Sequence, residues 1–158
     1  MLPDPNRVSD TRAWLRKAKG DLRGAQVCLG ADPPLAEDVL FHCQQAVEKA
    51  LKGFLAWHDR PFRKTHDLAE LGRQVSRPEP SLESACRRAE PLTVYASWVF
   101  RYPGEPGEPT VEEAWRSRRK CARRCCLAFP PKLTPERFTS PGSCPSPPTL
   151  SADRRRCG

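Results

Sequence analysis

The sequence predicts an all-α protein, an antiparallel bundle of four main helices and one short helix. Apolar residues recur at three- and four-residue steps in several segments, as they do in amphipathic helices. Turns rich in proline and glycine separate these segments, and none of them shows the alternation of apolar and polar residues that is typical of a strand. A length of 158 residues suits one domain with one core.

The first two predicted helices follow each other closely. The first runs over about residues 11–29, and either Ser9 or Asp10 can serve as its N-cap because both side chains can accept a backbone N–H. The turn that follows is expected to lead directly into the second helix. Asp32 is its predicted N-cap, and Pro33 then falls in the first turn, where a missing N–H has no cost.

The second helix, which is expected to end near His58, has two different faces. At about 100° per residue, one wide arc is apolar and contains Val39, Leu40, Cys43, Ala46, Val47, Ala50, Leu51, Phe54 and Trp57. The opposite arc is polar and contains Asp38, His42, Gln45, Glu48, Lys49 and Lys52. An apolar arc of this width predicts a helix that buries one face in a bundle.

The third and fourth helices are marked by their start signals. Asp67 and Glu70 form a pair like a capping box, which predicts a short helix over residues 68–75. Ser81 opens a fourth helix whose apolar residues keep the helical spacing as far as position 99. Pro91 lies inside that run and predicts a kink or a short break.

The fifth helix and the tail complete the predicted organisation. Thr110 and Glu113 form a second capping box, which opens a helix to about residue 128. A helical domain is therefore expected over residues 9–128. Residues 129–158 are rich in proline, serine and arginine and have no periodicity, which predicts a disordered tail, either an interaction segment or an inert extension.

Composition favours a cytoplasmic protein. No apolar run approaches the roughly 20 residues that span a bilayer, and the N-terminus "MLPDPNRVSD" lacks the pattern of a signal peptide. The eight cysteines are then expected to be reduced thiols. Cys121, Cys125 and Cys126 lack paired CxxC spacing, and no glycine-rich phosphate loop is present, so neither a metal nor a cofactor is predicted.

Three motifs in order carry a resemblance to a known family. They are "FHCQQAVEKALKGFLAWHDRPFRKTHDLAELG", then "LTVYASWVFRYPG", and then a helix that opens with "VEEA". Over roughly residues 14–128 the chain closely resembles small prokaryotic HEPN-domain proteins. The resemblance implies a helical bundle that is often dimeric, and a gene beside a minimal nucleotidyltransferase in a toxin–antitoxin-like pair. Some such proteins are RNA endonucleases, and others bind nucleotides.

The ribonuclease branch of that family depends on an arginine followed, after four to six residues, by a histidine near the start of the last main helix. Arg101 is followed at those places by proline, glycine or glutamate, and no histidine occurs after His66. Arg60 and His66 match the spacing but lie in the loop after the second helix. The resemblance therefore implies a protein that is not an enzyme by the usual route, with Arg60 and His66 as the remaining catalytic candidates.

The candidate binding residues form two groups of cations and aromatic side chains. Clustered cations at the end of the second helix suit a phosphate, to which the N-terminus of the short helix after Asp67 can add backbone donors. Arg101 and Tyr102 can offer a phosphate fork and a stacking surface. The predicted nucleotide- or phosphate-binding residues are Lys49, Lys52, Lys64, His66, Arg101 and Tyr102.

Each of these residues also has a structural interpretation. The lysines can lie on a solvated face, and His66 can join the loop to the helix by hydrogen bonds alone. The basic cluster of residues 116–124 is either a phosphate-facing patch or a solvated helix end. The favoured function is a nucleotide- or RNA-binding module that acts with a nucleotidyltransferase-domain partner. The alternatives are a metal-independent RNA endonuclease toxin and a non-catalytic homodimer with a role in assembly.

Overall fold

A computed structural model describes residues 4–96, 110, 111, 113, 114 and 116. The described residues form helices and turns without a β-strand, which confirms the predicted all-α class. Four α-helices follow one another along the chain, namely α1 (Pro5–Leu29), α2 (Ala36–Trp57), α3 (Leu68–Ser76) and α4 (Glu83–Ala89). Two 3₁₀ segments, Pro80–Leu82 and Glu90–Ala96, flank α4.

The helices α1 and α2 pack as an antiparallel pair. Gly24 lies against the ring of His42 at one end, and Gly53 lies against Trp14 at the other. Because the residue number rises along one helix as it falls along the other, the two helices run in opposite directions. The two glycines permit a close approach at both ends, since a side chain at either place would press on the opposite helix.

The core lies between α2 and the segments that surround it. Of the predicted apolar arc of α2, every member except Trp57 is buried, and Trp57 packs against the core while partly exposed. Burial of each large side chain contributes about 1.5–3 kcal/mol. The core also includes Leu15, Leu68, Leu71, Val75, Leu82, Leu92 and Tyr95.

The first helix begins earlier than predicted, and neither predicted N-cap is correct. Asp4 is the N-cap of α1, and its carboxylate accepts a hydrogen bond from the backbone N of Asn6 at 2.9 Å. Pro5 occupies the first turn, where its fixed φ suits a helix. Ser9 and Asp10 are exposed residues inside the helix. The Asp-Pro pair is the start signal that decides the boundary.

The second helix begins later than predicted, so the roles assigned to Asp32 and Pro33 are wrong. The helix starts at Ala36 after Leu35, which makes no side-chain cap, and the Asp32–Pro33 peptide bond is cis. The cause is a second proline at position 34, because a residue that precedes proline is disfavoured in the helical region. The backbone N of Leu35 instead bonds the carbonyl of Cys28 at 3.0 Å.

The C-terminus of α2 is closed by a Schellman motif, close to the predicted end at His58. The N–H of Arg60 bonds the carbonyl of Leu55 at 2.9 Å, and that of Asp59 bonds Ala56 at 3.2 Å. Asp59 adopts a left-handed φ of 52° at the position where glycine is preferred. This motif turns the chain sharply into the loop of residues 60–67.

The cap of α3 is confirmed, with one difference. The Asp67 carboxylate accepts hydrogen bonds from Ala69 N at 2.8 Å and Glu70 N at 3.2 Å. Glu70 does not return a bond to the cap, because its carboxylate is held by Arg63 at 2.8 Å on both oxygens. The pair therefore acts as a one-sided cap.

The predicted break at Pro91 is confirmed. The α-helical hydrogen bonding of α4 ends at Ala89, and the chain continues as a 3₁₀ segment that keeps Leu92 and Tyr95 buried. Ser81 does not open this helix, because α4 begins at Glu83 and the Ser81 hydroxyl bonds Glu79.

The last described residues contain the second predicted capping box. Glu113 accepts a bond from the Thr110 N at 2.9 Å, and its own N donates to the Thr110 hydroxyl at 3.3 Å. The predictions for Arg101, Tyr102, residues 117–124 and the tail over 129–158 lie outside the described residues. None of the helices that the structure describes is both long and apolar enough to cross a membrane.

Candidate functional site

Glu48 is the centre of a polar cluster in the interior of the bundle. Only 3% of this residue is exposed. Its Oε1 accepts a hydrogen bond from Lys52 Nζ at 2.8 Å, and its Oε2 accepts one from Gln44 Nε2 at 2.9 Å. These three residues are spaced four apart on α2, so their side chains form one line along the helix. Gln44 in turn accepts a bond from Gln45 Nε2 at 2.8 Å.

His66 connects this buried cluster to solvent. Its Nδ1 lies 3.0 Å from Glu48 Oε2, while 65% of its side chain is exposed. A bond to a carboxylate requires the proton on Nδ1, which leaves Nε2 of the neutral ring as an acceptor. This bond joins the loop to α2, which agrees with the structural interpretation of His66. The same bond also fixes the orientation of an exposed imidazole.

The electrostatics of the cluster keep Glu48 ionised. Burial acts to raise the pKa of its carboxyl group, but the hydrogen bonds from Lys52, Gln44 and His66 act in the opposite direction and prevail. The pKa of Glu48 consequently lies below its ordinary value. A charged carboxylate balances the ammonium group of Lys52, which would otherwise be an isolated charge in the interior.

Lys52 does not lie on a solvated face, so that expectation is wrong for this residue. Its side chain is only 7% exposed, and its Nζ lies near two aromatic rings. The distances from Nζ to the ring centroids are 5.6 Å for Trp14 and 5.9 Å for Phe62, within the range of cation–π contacts. The two rings meet edge to face with centroids 6.0 Å apart. Lys52 is thus enclosed by aromatic carbon and by Glu48.

Lys49 belongs to a different cluster on the other side of α2. Its ammonium group donates to the carboxylate of Asp21 on α1, and His42 Nδ1 lies 3.3 Å from the same carboxylate. The His42 side chain is 29% exposed and packs against Gly24. This cluster links α1 to α2.

The cations of the loop over residues 60–67 differ in their freedom to bind a ligand. Arg63 is held by Glu70, and this bond raises the pKa of Arg63 and lowers that of Glu70. Arg60 and Lys64 are exposed and make no side-chain ion pair with the residues that the structure describes. These two cations give the loop a positively charged surface beside His66.

The N-terminus of α3 does not supply the expected backbone donors. The N–H of Leu68 bonds the hydroxyl of Thr93 at 3.1 Å, and the next two N–H groups bond the Asp67 carboxylate. All three first-turn donors are therefore satisfied within the protein. An anion at this loop therefore receives no free backbone donor from the first turn of α3.

The structure thus separates the predicted site residues. It joins His66 to Lys52 through Glu48, leaves Lys64 exposed in the same loop, and places Lys49 beside Asp21. Sequence reasoning missed Gln44, whose position four residues before Glu48 was the available signal. It also missed Trp14 and Phe62, which no local pattern brings together. In the described part of the chain, no three His, Cys, Asp or Glu side chains are placed to hold a metal ion.

Chemically, the cluster can present an oriented imidazole beside the exposed cations Arg60 and Lys64. A carboxylate behind a histidine fixes its tautomer and its orientation, which suits either phosphate binding or proton transfer.

The comparisons with known proteins agree with this helical architecture. The family model of the HEPN domain matches residues 11–126. Neither the curated proteins nor the solved structures gave a match. The matched segment begins inside α1 and includes α2, α3 and α4 with the whole Glu48 cluster. Because the match covers well over half of the sequence, the chain belongs to the HEPN domain family.

Proposed function

We propose that this HEPN domain binds the phosphate of a nucleotide or of RNA at the loop over residues 60–67. The observation that carries the proposal is the bond of 3.0 Å between His66 Nδ1 and the buried Glu48, together with the exposure of 65% of the His66 side chain. A buried network that ends in one oriented, exposed imidazole is an arrangement suited to a ligand. Arg60 and Lys64 are exposed in the same loop and supply further positive charge.

The loop is held in place, so little order has to be gained when a ligand binds. The Schellman motif fixes its first residues, and Phe62 packs against the core. At its other end, Asp67 N bonds the Thr65 hydroxyl at 3.1 Å before α3 begins. Between these fixed points, Lys64 and His66 are exposed. Preorganisation of this kind reduces the entropic cost of binding.

A mononucleotide titration tests this site. ATP labelled with a fluorophore should bind the native protein, and both His66→Ala and Lys64→Ala should weaken binding by about 1.5–3 kcal/mol, roughly tenfold to a hundredfold. Arg77→Ala is the matched control, because Arg77 is an exposed cation at the opposite end of α3. Equal losses in all three variants would show only a general effect of charge, and unchanged binding in His66→Ala would reject the site.

The second candidate function is metal-independent RNA cleavage, with His66 as the base. The Glu48–His66 bond favours it, because it leaves Nε2 of the neutral ring to accept the proton of a 2′-hydroxyl. Arg60, exposed at the start of the loop, would then have to approach the same phosphate. Incubation of the protein with mixed RNA in the presence of a chelator distinguishes the two functions. Cleavage that is lost in His66→Ala would establish the ribonuclease, and intact RNA supports the binding module.

The proposal also includes a nucleotidyltransferase-domain partner in a toxin–antitoxin-like pair, and a homodimer of this chain. Its support is the family membership together with the motifs quoted above. Co-expression with a nucleotidyltransferase-domain protein from a neighbouring gene should give a complex that co-purifies. A homodimer that retains neither this partner nor a nucleotide would favour the third interpretation, a non-catalytic assembly protein.

A further inference from the structure

Four cations form a continuous stripe along the exposed side of α1. Arg12, Arg16, Lys19 and Arg23 follow the spacing i, i+4, i+7, i+11, so they project from one side of the helix within a narrow arc. All four are exposed. At about 1.5 Å per residue the stripe is about 17 Å long.

The stripe is not neutralised by carboxylates. The acidic residues of α1 are Asp10 and Asp21, which lie on the other side of the helix, and Asp21 is already paired with Lys49. None of the four cations forms an ion pair with a residue in the described segments, whereas other exposed arginines do, such as Arg63 and Arg87. Neighbouring like charges at these spacings repel one another. The folded protein therefore carries an electrostatic cost along α1 that a bound polyanion would relieve.

We propose that this α1 stripe binds the phosphate backbone of a nucleic-acid strand. Three of its four cations are arginines, whose planar guanidinium groups match phosphate oxygens in bidentate geometry. The stripe is about as long as the stretch of one duplex strand that carries five phosphates, because successive phosphates of a strand are about 3.4 Å apart along the helix axis. The proposal does not rest on the loop site, since the stripe lies on the side of α1 that faces away from Trp14 and α2.

A nucleic acid fits this surface better than a membrane does. An amphipathic helix that binds lipid inserts its apolar face into the membrane. The apolar face of α1 is unavailable, because Leu15, Ala18 and Ala25 are buried in the bundle. Contacts confined to phosphates carry no sequence information, so strands of different sequence should bind alike.

The test is the salt dependence of RNA binding. The probe is a labelled single-stranded RNA of about 20 nucleotides, which is longer than the usual site size of proteins that bind single strands. The protein is titrated with this RNA at several salt concentrations. Each neutralised phosphate contributes about 0.7 to the slope of log K against log salt for a single strand. Replacement of all four stripe cations by glutamine should therefore reduce the slope by about 3 and weaken binding at least tenfold at about 0.1 M salt.

A variant with the same loss of charge on another surface is the control. Arg73, Arg77, Arg87 and Arg88 are also exposed, and their replacement by glutamine should leave the slope almost unchanged. The stripe variant should also melt at the same or a higher temperature, because repulsion along α1 is removed. Equal reductions of the slope in both variants would overturn the proposal, as would stripe-dependent binding to anionic vesicles or polyglutamate but not to RNA.

Discussion

Replacement of Glu48 by glutamine is the most direct test of the buried cluster. Three donors converge on the two carboxylate oxygens, namely Lys52 Nζ, Gln44 Nε2 and His66 Nδ1. A glutamine has nearly the same shape but offers one oxygen and one NH₂ group. At least one donor then faces another donor, and the Lys52 ammonium loses its counter-charge in an environment where only 7% of its side chain is exposed.

The cost of Glu48→Gln follows from this loss. Removal of one partner of a buried ion pair typically costs about 3–5 kcal/mol. The remaining amide oxygen can still accept from Lys52, so we expect a value near the lower end, about 3 kcal/mol. For a domain of this size each kcal/mol shifts Tm by about 3–5 °C, so Tm should fall by about 10–15 °C.

The pH dependence gives this prediction a second, independent readout. The pKa of Glu48 is lower in the folded protein than its ordinary value, so its ionisation stabilises the fold above the unfolded pKa, about 4.3. This contribution is lost as the pH falls through the lower, folded pKa. The difference in unfolding free energy between native protein and Glu48→Gln should therefore be constant at neutral pH and shrink below about pH 4.

Urea denaturation from about pH 3 to pH 7 measures both effects. The control is Glu83→Gln, which removes a carboxylate from the exposed pair with Arg87 and should cost no more than about 0.5 kcal/mol. A loss below about 1 kcal/mol for Glu48→Gln at pH 7 would refute the interpretation that Lys52 depends on this carboxylate. A difference that persists unchanged at low pH would refute the assignment of an ionised Glu48.

Four further predictions concern the backbone and one helix cap, and urea denaturation checks each of them. Asp59→Gly should raise the unfolding free energy by about 1 kcal/mol, because glycine adopts the left-handed φ of 52° without strain. A fall of the unfolding free energy by about 1 kcal/mol would contradict the Schellman geometry. Gly20→Ala should stabilise α1 by up to about 1 kcal/mol, since an added Cβ meets nothing within 4 Å. Gly72→Ala should instead cost about 1–3 kcal/mol, because the new Cβ would lie 2.9 Å from Cys86 Cβ. Asp67→Ala should cost about 1 kcal/mol by removing the cap of α3, and a negligible loss would show that Thr93 alone suffices.

Local rules predicted most of the fold because its elements are set by local chemistry. Apolar periodicity identified the buried face of α2, and the cap at Asp67 and the break at Pro91 each depend on neighbouring residues. The two incorrect helix starts both depend on proline. Pro5 extends α1 to an earlier cap, whereas the second of two consecutive prolines delays α2. Both effects are also local, so they could have been predicted.

The candidate site was less predictable because burial depends on what packs against a helix. A helical wheel assigns Glu48 and Lys52 to a polar arc, and nothing in α2 shows that Trp14 and Phe62 cover that arc from elsewhere in the chain. The interpretation of this face as solvated failed for that reason. His66 was found by its residue type and position. Its hydrogen bond to Glu48 could be identified only from the structure, which places the loop over that residue.

The Glu48 cluster raises the question of why a polar network occupies a place where apolar side chains would serve. Replacement of a buried ion pair by apolar residues of similar volume is often neutral or stabilising. We therefore expect that Gln44→Met/Glu48→Leu/Lys52→Met, unlike Glu48→Gln, unfolds within about 2 kcal/mol of the native protein.

The triple variant removes the Glu48 carboxylate that orients His66, so the imidazole is then free to rotate. If the network serves the loop, this stable variant should bind a mononucleotide as weakly as His66→Ala does. Full retention of binding in the triple variant, with His66→Ala still defective, would mean that the network is only structural and that His66 needs no anchor. The two variants therefore separate the stability of the cluster from its function, which Glu48→Gln alone cannot do.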